Sequence, residues 1–475
     1  MTANERALFR CQTALALKDK GDYAGAQQVM RPLWKRLGEH PNTEGLHSSV
    51  AAEVLFCAGI LTSLIGSRDE IKEANEWARD LLTESITYYE SVQDVMKIAG
   101  IRAELGYCYW RAGASDEARI VFTEALKKLT TEGNTRANAI FGLSVVEWSA
   151  GRFKESLRIL TENGPLFKNI TNHSLKGVYH MQVALVLRNL AMPENKAREF
   201  RRVLQEYEEA DRQFKLAQNK LFRAHVKNNI SYVLRELSRF KEAHEYLDHA
   251  RRLTVSAKNK VKTAQVDESR AQLLIAEGKY ADAESAARHA ARTFDKSGHQ
   301  CFLAEALTTQ GIALARLGKT ERAQFTIQRA IEIAHQAGSL NQAGIAALTL
   351  IEEIDDLSAD MLSGAYEQAG EWLAETQSNA LLLRFKEAGS KLAAKLRTSA
   401  NTNATETLFK RRNFKEALLE VERELIRRAL SEANGSVTYA APLLGMTYPG
   451  LIYIIQNRHP DLLNERTPVR RRPRK

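Results

Sequence analysis

Three segments of this chain, SRFKEAHEYLDHA, GKYADAESAARHA and GKTERAQFTIQRA, fall into register at a spacing of 40 residues, with Ser238, Gly278 and Gly318 at equivalent positions. Ala243, Ala283 and Ala323 follow at one common offset, and Ala250, Ala290 and Ala330 at another. A small residue permits a tight turn, and alanines seven apart let two helix axes approach closely. An isolated helix pair cannot bury its apolar face, so each copy requires a neighbour and the chain must stack into an array. Earlier copies, GDYAGA at Gly21, GASDEA at Gly113 and GRFKES at Gly151, keep the motif with less regular spacing. Divergent turns are expected near Gly66, Leu190 and Ser358.

In one copy, Leu105, Gly106 and Tyr109 precede Gly113, Ala118, Phe122 and Ala125. This order resembles the tetratricopeptide (TPR) consensus, and the resemblance runs from Asn4 to Arg397. It implies an all-α, TPR-like superhelix. The period exceeds the usual value of about 34, and the excess is attributed to longer second helices, such as one running from Pro193 toward Gln218. The resemblance also implies that the inner face of each first helix holds a protein or peptide partner. The matching positions are Tyr107, Trp110 and Arg111, then Asn138, Phe141 and Trp148, then His225, Asn228, Tyr232 and Arg235. Inter-repeat packing is the competing role for Tyr107 and Trp148.

The stretch TSANTNATET, residues 398–407, is polar and aperiodic and reads as the start of a linker covering 398–413. Helical periodicity then resumes: Leu418, Val421, Leu425 and Ala429 form one stripe, and Leu419, Ile426 and Leu430 an adjoining one, ended by Asn434 and Gly435. In GSVTYAAPLLGMTYPGLIYIIQ, Ser436 caps a short helix holding Ala440 and Ala441, Gly445 supplies a turn, and Thr447 caps a second helix with Pro449 in its first turn. The elements E-x-E-x-x-x-I-x-x-A-L, N-G and A-A-x-L-L-G, in that order, resemble the Fis-type helix-turn-helix domain. The resemblance implies a dimer built on the Phe414–Leu430 helix, with the last helix in the DNA major groove. If Thr447 starts that helix, Tyr448, Gly450, Tyr453 and Asn457 project outward while Leu451 and Ile455 turn to the core. Thr447, Gln456 and Arg458 complete the candidate DNA-binding set on this helix. The helix has no arginine placed for bidentate guanine reading. Pro442 falls inside the preceding helix and should kink or shorten it.

Charge supports a polyanion partner. From Thr398 to Lys475 there are 14 Lys and Arg against 8 Asp and Glu, so six of the chain's net +10 sit in this final segment. The tail presents Arg470, Arg471, Arg472, Arg474 and Lys475 for phosphate contacts. Enzyme readings lack motifs: no G-x-x-x-x-G-K-[ST], dinucleotide fingerprint or G-x-S-x-G occurs. His244 and His249, in HEYLDH, are five positions apart, about 140° around a helix, and cannot share a metal from one face. Cys11, Cys57, Cys108 and Cys301 are widely spaced, which argues against a disulfide framework or zinc site and suits a cytoplasmic protein. The N-terminal residues do not read as a secretory signal, and the apolar run Val54–Ile65 is too short to span a bilayer. No cofactor, metal or membrane partner is therefore expected.

The expected organisation is a repeat array over 1–397, a linker over 398–413, a Fis-type domain over 414–459 and a basic tail over 460–475. The leading reading is a DNA-binding transcriptional regulator whose array binds a protein or peptide. The alternative is an interaction scaffold whose Fis-like segment serves dimerisation or docking. An RNA-binding reading rests on the basic tail alone.

Overall fold

The computed structural model describes residues 1–71, 73–191, 195–374, 376, 378–407 and 414–465. Among the described residues there are 23 α-helices and no strand, in two compact units, Met1–Leu392 and Ala393–Lys475.

The first unit is a run of antiparallel helix pairs. They are α1 (Ala3–Asp19) with α2 (Tyr23–Met30), α3 (Ser48–Arg68) with α4 (Ala74–Ser91), α5 (Val95–Arg111) with α6 (Ser115–Lys128), and α7 (Asn134–Ser149) with α8 (Phe153–Glu162), followed by the short α9 (Gly164–Asn169). There follow α10 (His173–Leu190) with α11 (Lys196–Leu216), α12 (Lys220–Glu236) with α13 (Phe240–Ser256), and α14 (Lys260–Ala276) with α15 (Tyr280–Ser297). The last are α16 (Gln300–Arg316) with α17 (Thr320–Gln336), α18 (Leu340–Glu353) with α19 (Ala359–Trp372), and the start of α20 (Asn379–Thr407), whose residues after Leu392 fall in the second unit. The face of α20 that carries Ala388 covers the end of the apolar core, with Phe385 stacked on Tyr366.

The 40-residue period has a different origin from the one expected. The helices α12 and α13 are each 17 residues long and are joined by three-residue turns, so both members of the pair are lengthened equally. The turn positions behave as their small residues demand: Ser238, Gly278 and Gly318 have φ of 57°, 78° and 72°. There the chain folds back on the helix it leaves, Arg239 N–H donating to Leu234 O at 2.8 Å. The six register alanines are all fully buried, each a contact point where a larger side chain would force the helices apart.

Three further expectations change. Gly66 lies within α3 and is a site of close approach; a Cβ there would sit 1.9 Å from that of Ala74, and the turn comes later, at Glu70 with φ 56°. The residues 398–407 continue α20 as helix, in a stretch without Gly or Pro; 408–413 lie outside the described residues. Finally, α3 extends the apolar run to a helix of 21 residues, long and apolar enough to cross a membrane, but 72% of its most apolar 18-residue window is buried inside the array, where it supplies core to its neighbours.

The second unit contains α21 (Phe414–Glu432), α22 (Val437–Leu443), α23 (Tyr448–Arg458) and a 3-10 turn (Pro460–Glu465). Its core joins Ile426, Ala429 and Leu430 to Val437, Ala440, Ala441, Leu451, Ile455 and Leu462. Asn434 and Gly435 end α21 with φ of 49° and 77°.

Candidate functional site

The helix-turn-helix is built as its residues direct. Thr447 Oγ1 accepts the Gly450 N–H at 3.3 Å and starts α23, with Pro449 in the first turn. Gly445, at φ 65°, makes the turn before it. Ser436 occupies the cap position of α22 without a side-chain cap bond. Pro442 lies next to the C-terminal end of this seven-residue helix, where its missing N–H costs a single bond; the helix is short and its end is capped by Gly445 N–H on Pro442 O at 3.0 Å.

A 3.6-residue period puts Leu451 and Ile455 fully in the core and leaves Tyr448 and Tyr453 outside, 45% and 63% exposed. Gln456 is also exposed, and Gly450 is half-buried. Two other candidates are already engaged: Asn457 Nδ2 donates to Tyr453 O at 2.8 Å, and Arg458 Nη1 donates to Glu422 Oε1 at 2.9 Å. The other oxygen of Glu422 meets His459 Nε2 at 3.0 Å, so this carboxylate ties the end of α23 back to α21. On α21, Val421 and Leu425 are 60% and 54% exposed, since the domain core takes the adjoining stripe. The tail residues Arg470, Arg471, Arg472, Arg474 and Lys475 lie outside the described residues.

Within the array, the inner-face candidates divide into two groups. Tyr107, Arg111, Asn138 and Phe141 line a cleft of roughly 700 Å³ between α1, α3, α5, α7, α10 and α12. Tyr107 is itself buried, edge-on to Phe122, and its hydroxyl donates to Asn138 O at 2.8 Å. The Arg111 guanidinium lies over the Tyr107 and Trp110 rings and donates to Ser63 Oγ at 3.0 Å. Trp110 Nε1 donates to Ser149 Oγ at 2.8 Å, whereas Trp148 packs beside Leu160, Val183 and Val186 with its Nε1 buried and unpartnered.

The second group lies on α12. The Arg188 and Arg235 guanidinium groups both lie over the Tyr232 ring, at 4.8 and 4.7 Å from its centre. Arg235 Nη1 also reaches Gln272 Oε1 at 2.5 Å, and Asn228 Nδ2 donates to Ser269 Oγ at 2.9 Å. His225 is pushed down to about 3 by burial, with the Lys262 and Arg188 charges adding to the effect, so its ring is neutral at physiological pH. The half-exposed, doubly stacked Tyr232 and the amides beside it suit stacking and backbone hydrogen bonding.

Sequence reasoning missed what closes the cleft. Asn172 and Asn219 cap α10 and α12 through their Oδ1 atoms, accepting Leu175 N–H and Phe222 N–H at 3.0 Å each. Their Nδ2 atoms turn the other way, to Asp19 Oδ2 at 2.8 Å and Asp19 O at 3.0 Å. These contacts span 153 and 200 residues, whereas repeats in a simple solenoid touch only their neighbours. They close α1 to α12 into a ring. Gly21 is required beside them: its φ is 75°, and a Cβ would come 2.8 Å from Asn219 Oδ1. The cap role of each asparagine is visible in sequence; its second bond is not.

Known proteins match these two units separately. Residues 417–456 match the family model described as "Bacterial regulatory protein, Fis family". Among solved structures, the chain is similar to a signal transduction ATPase with numerous domains (STAND) that has a tetratricopeptide repeat sensor, from Pyrococcus horikoshii. That match has 13% identity and a TM-score of 0.50, covering 78% of this chain and 55% of that one. It is also similar to a Rap protein complexed with competence and sporulation factor (14% identity, TM-score 0.46, 72% of this chain and 99% of that one). A third is a tetratricopeptide repeat protein from Parabacteroides merdae (13% identity, TM-score 0.34, 57% of this chain and 98% of that one). No curated protein matches the chain significantly. The fold is that of a TPR-like helical array carrying a C-terminal Fis-type helix-turn-helix, the latter a DNA-binding module.

Proposed function

We propose that this protein is a cytoplasmic transcriptional regulator: the second unit binds DNA, and the array takes a protein or peptide partner that alters that binding. The observation that carries the reading is the helix-turn-helix, whose α23 buries Leu451 and Ile455 and turns Tyr448 and Tyr453 outward. With Arg458 held by Glu422 and Asn457 by its own helix, base reading falls to Tyr448, Tyr453 and Gln456, and the five tail cations supply phosphate contacts. Tyrosine makes apolar contact with the thymine methyl or a single hydrogen bond, so the preference is modest and A·T-leaning. The Val421 and Leu425 stripe on α21 supports a homodimer, which would place two α23 helices about 34 Å apart on a palindromic site. The partner is taken on the inner face through His225, Asn228, Tyr232 and Arg235.

A scaffold reading is favoured by the same exposed apolar residues together with Tyr439 and Leu443, which leave the domain with a surface suited to docking. Selection of bound fragments from random genomic DNA at near-physiological salt separates the two. One enriched palindromic motif supports the regulator; fragments recovered without any shared motif support the scaffold.

A further inference from the structure

The cleft inside the ring has an apolar part, including Phe56, Ile60, Phe141 and Val178, and a charged part made by Lys18 and Asp19 of α1 and by Glu104 and Arg111 of α5. Glu104 accepts a hydrogen bond from Asn138 Nδ2 at 2.9 Å but makes no ion pair among the described residues. Lys18 and Arg111 are near enough for their charges to act on it, yet neither meets it directly. Burial raises the Glu104 carboxyl above its ordinary range, with Lys18 and Arg111 opposing the rise. Lys18 Nζ pairs with Asp19 Oδ1 at 3.1 Å, which leaves Glu104 and Arg111, one charge of each sign, facing this half-buried space without an ion pair among the described residues.

Such a space discriminates by charge pattern. An anion alone meets the Glu104 carboxylate; a cation alone meets Arg111; a purely apolar molecule desolvates both without compensation. A group carrying both signs on adjacent atoms satisfies Glu104 and Arg111 together. The cleft volume lies within the range of about 300–1,000 Å³ typical of small-molecule sites.

We propose that this cleft is an effector site for a small molecule with an α-amino-acid head and a large apolar body, its ammonium set against Glu104 and its carboxylate against Arg111, beside the Lys18–Asp19 pair. The apolar body lies against Phe56, Ile60, Phe141 and Val178. This site goes beyond the partner-binding face of α12 and does not depend on it. Because Lys18 and Asp19 stand on one side of the ring closure and Glu104 and Arg111 on another helix, a ligand that touches both reinforces the closure made by Asn172 and Asn219.

The test uses calorimetry and thermal unfolding of the full chain with L-tryptophan, L-phenylalanine and L-leucine, and with two analogues of the first: tryptamine, lacking the carboxylate, and indole-3-propionate, lacking the ammonium. The expected result is that at least one amino acid binds and slows amide exchange in α1, while for tryptophan both analogues bind at least ten-fold more weakly. Glu104→Gln, which retains the Asn138 partner, and Arg111→Met should each weaken binding at least ten-fold with the helical content unchanged. Phe325→Ala, exposed on α17 and outside the cleft, should leave it unaltered. Absence of binding by all three amino acids at millimolar concentration overturns the proposal, as does equal binding of the analogues or binding that survives both cleft substitutions. The genomic DNA selection reads the regulator proposal separately, so either can fail without the other.

Discussion

Replacing Asn219 by serine tests whether the ring is closed by specific bonds or by general packing. Serine serves as an N-cap about as well as asparagine, so α12 keeps its start, but the shorter side chain cannot reach Asp19 O. The bond lost, from Nδ2 of the fully buried Asn219 to Asp19 O at 3.0 Å, is part-buried and is one of the two side-chain bonds that tie Asp19 to α10 and α12. A neutral hydrogen bond of this kind contributes about 1 kcal/mol. Asn219→Ala removes the cap as well, costing about 1 kcal/mol more, for a total near ~2 kcal/mol. Asn259 provides the control: it caps α14 through Lys262 N–H at 2.9 Å without a bond to Asp19, so Asn259→Ala should cost the cap alone, about 1 kcal/mol. Amide hydrogen exchange is the suitable assay, because a repeat array opens locally and a single unfolding free energy blurs the site. Asn219→Ser should accelerate exchange in α1 and α2 by about five-fold, the equivalent of ~1 kcal/mol, while exchange in α13 stays unchanged. Asn259→Ala should leave α1 and α2 unaffected. Equal exchange in α1 for the parent and Asn219→Ser would refute the reasoning and assign ring closure to apolar packing alone.

Replacing Tyr448 and Tyr453 together by alanine should reduce discrimination between selected and random DNA while nearly preserving nonspecific affinity, as measured by competition binding; unchanged discrimination would transfer α23 to the scaffold reading. Neutralising Arg470, Arg471, Arg472 and Arg474 should weaken binding to all sequences and lower the salt slope by up to about four ions released; an unaltered slope would place the tail off the DNA. Burial, followed by the Glu268 charge, raises Glu305 from 4.5 to about 8. The folded chain thus binds this proton more tightly than the unfolded chain, and its stabilising contribution is lost as pH climbs from 4.5 through 8. Denaturant titrations at pH 5, 7 and 9 should show Glu305→Gln losing less stability with rising pH than the parent, and parallel curves would contradict the shift. A chain ending at Thr407 should remain soluble and helical by circular dichroism, because α20 stays whole and each repeat rests on its neighbour; loss of helix would place part of the array core beyond that point.

Much of the fold follows from local pattern. The 40-residue register placed Ala243, Ala283 and Ala323 at helix contacts and Ser238, Gly278 and Gly318 in left-handed turns, because steric limits on a turn and on close helix approach act within a few residues. The same locality made Thr447 a cap and turned Leu451 and Ile455 inward. What periodicity does not carry is which of two possible partners a side chain takes. Arg458 and Asn457 share the outer face of α23 with Tyr453, yet a carboxylate on α21 holds one and a backbone carbonyl the other. Tyr107 was legible as an inner-face aromatic, but only the packing of Phe122 shows that the ring is buried and that the surrounding charges, Lys18 and Glu104, face the cleft.

The amino-acid sequence by itself therefore determined the helix pairs, their stacking and the helix-turn-helix, since each depends on spacing along one or two neighbouring helices. Only the tertiary structure decided that α1 meets α10 and α12. Asp19, Asn172 and Asn219 carry no shared spacing, and their meeting depends on the small rotation accumulated from one repeat to the next, which no single repeat contains.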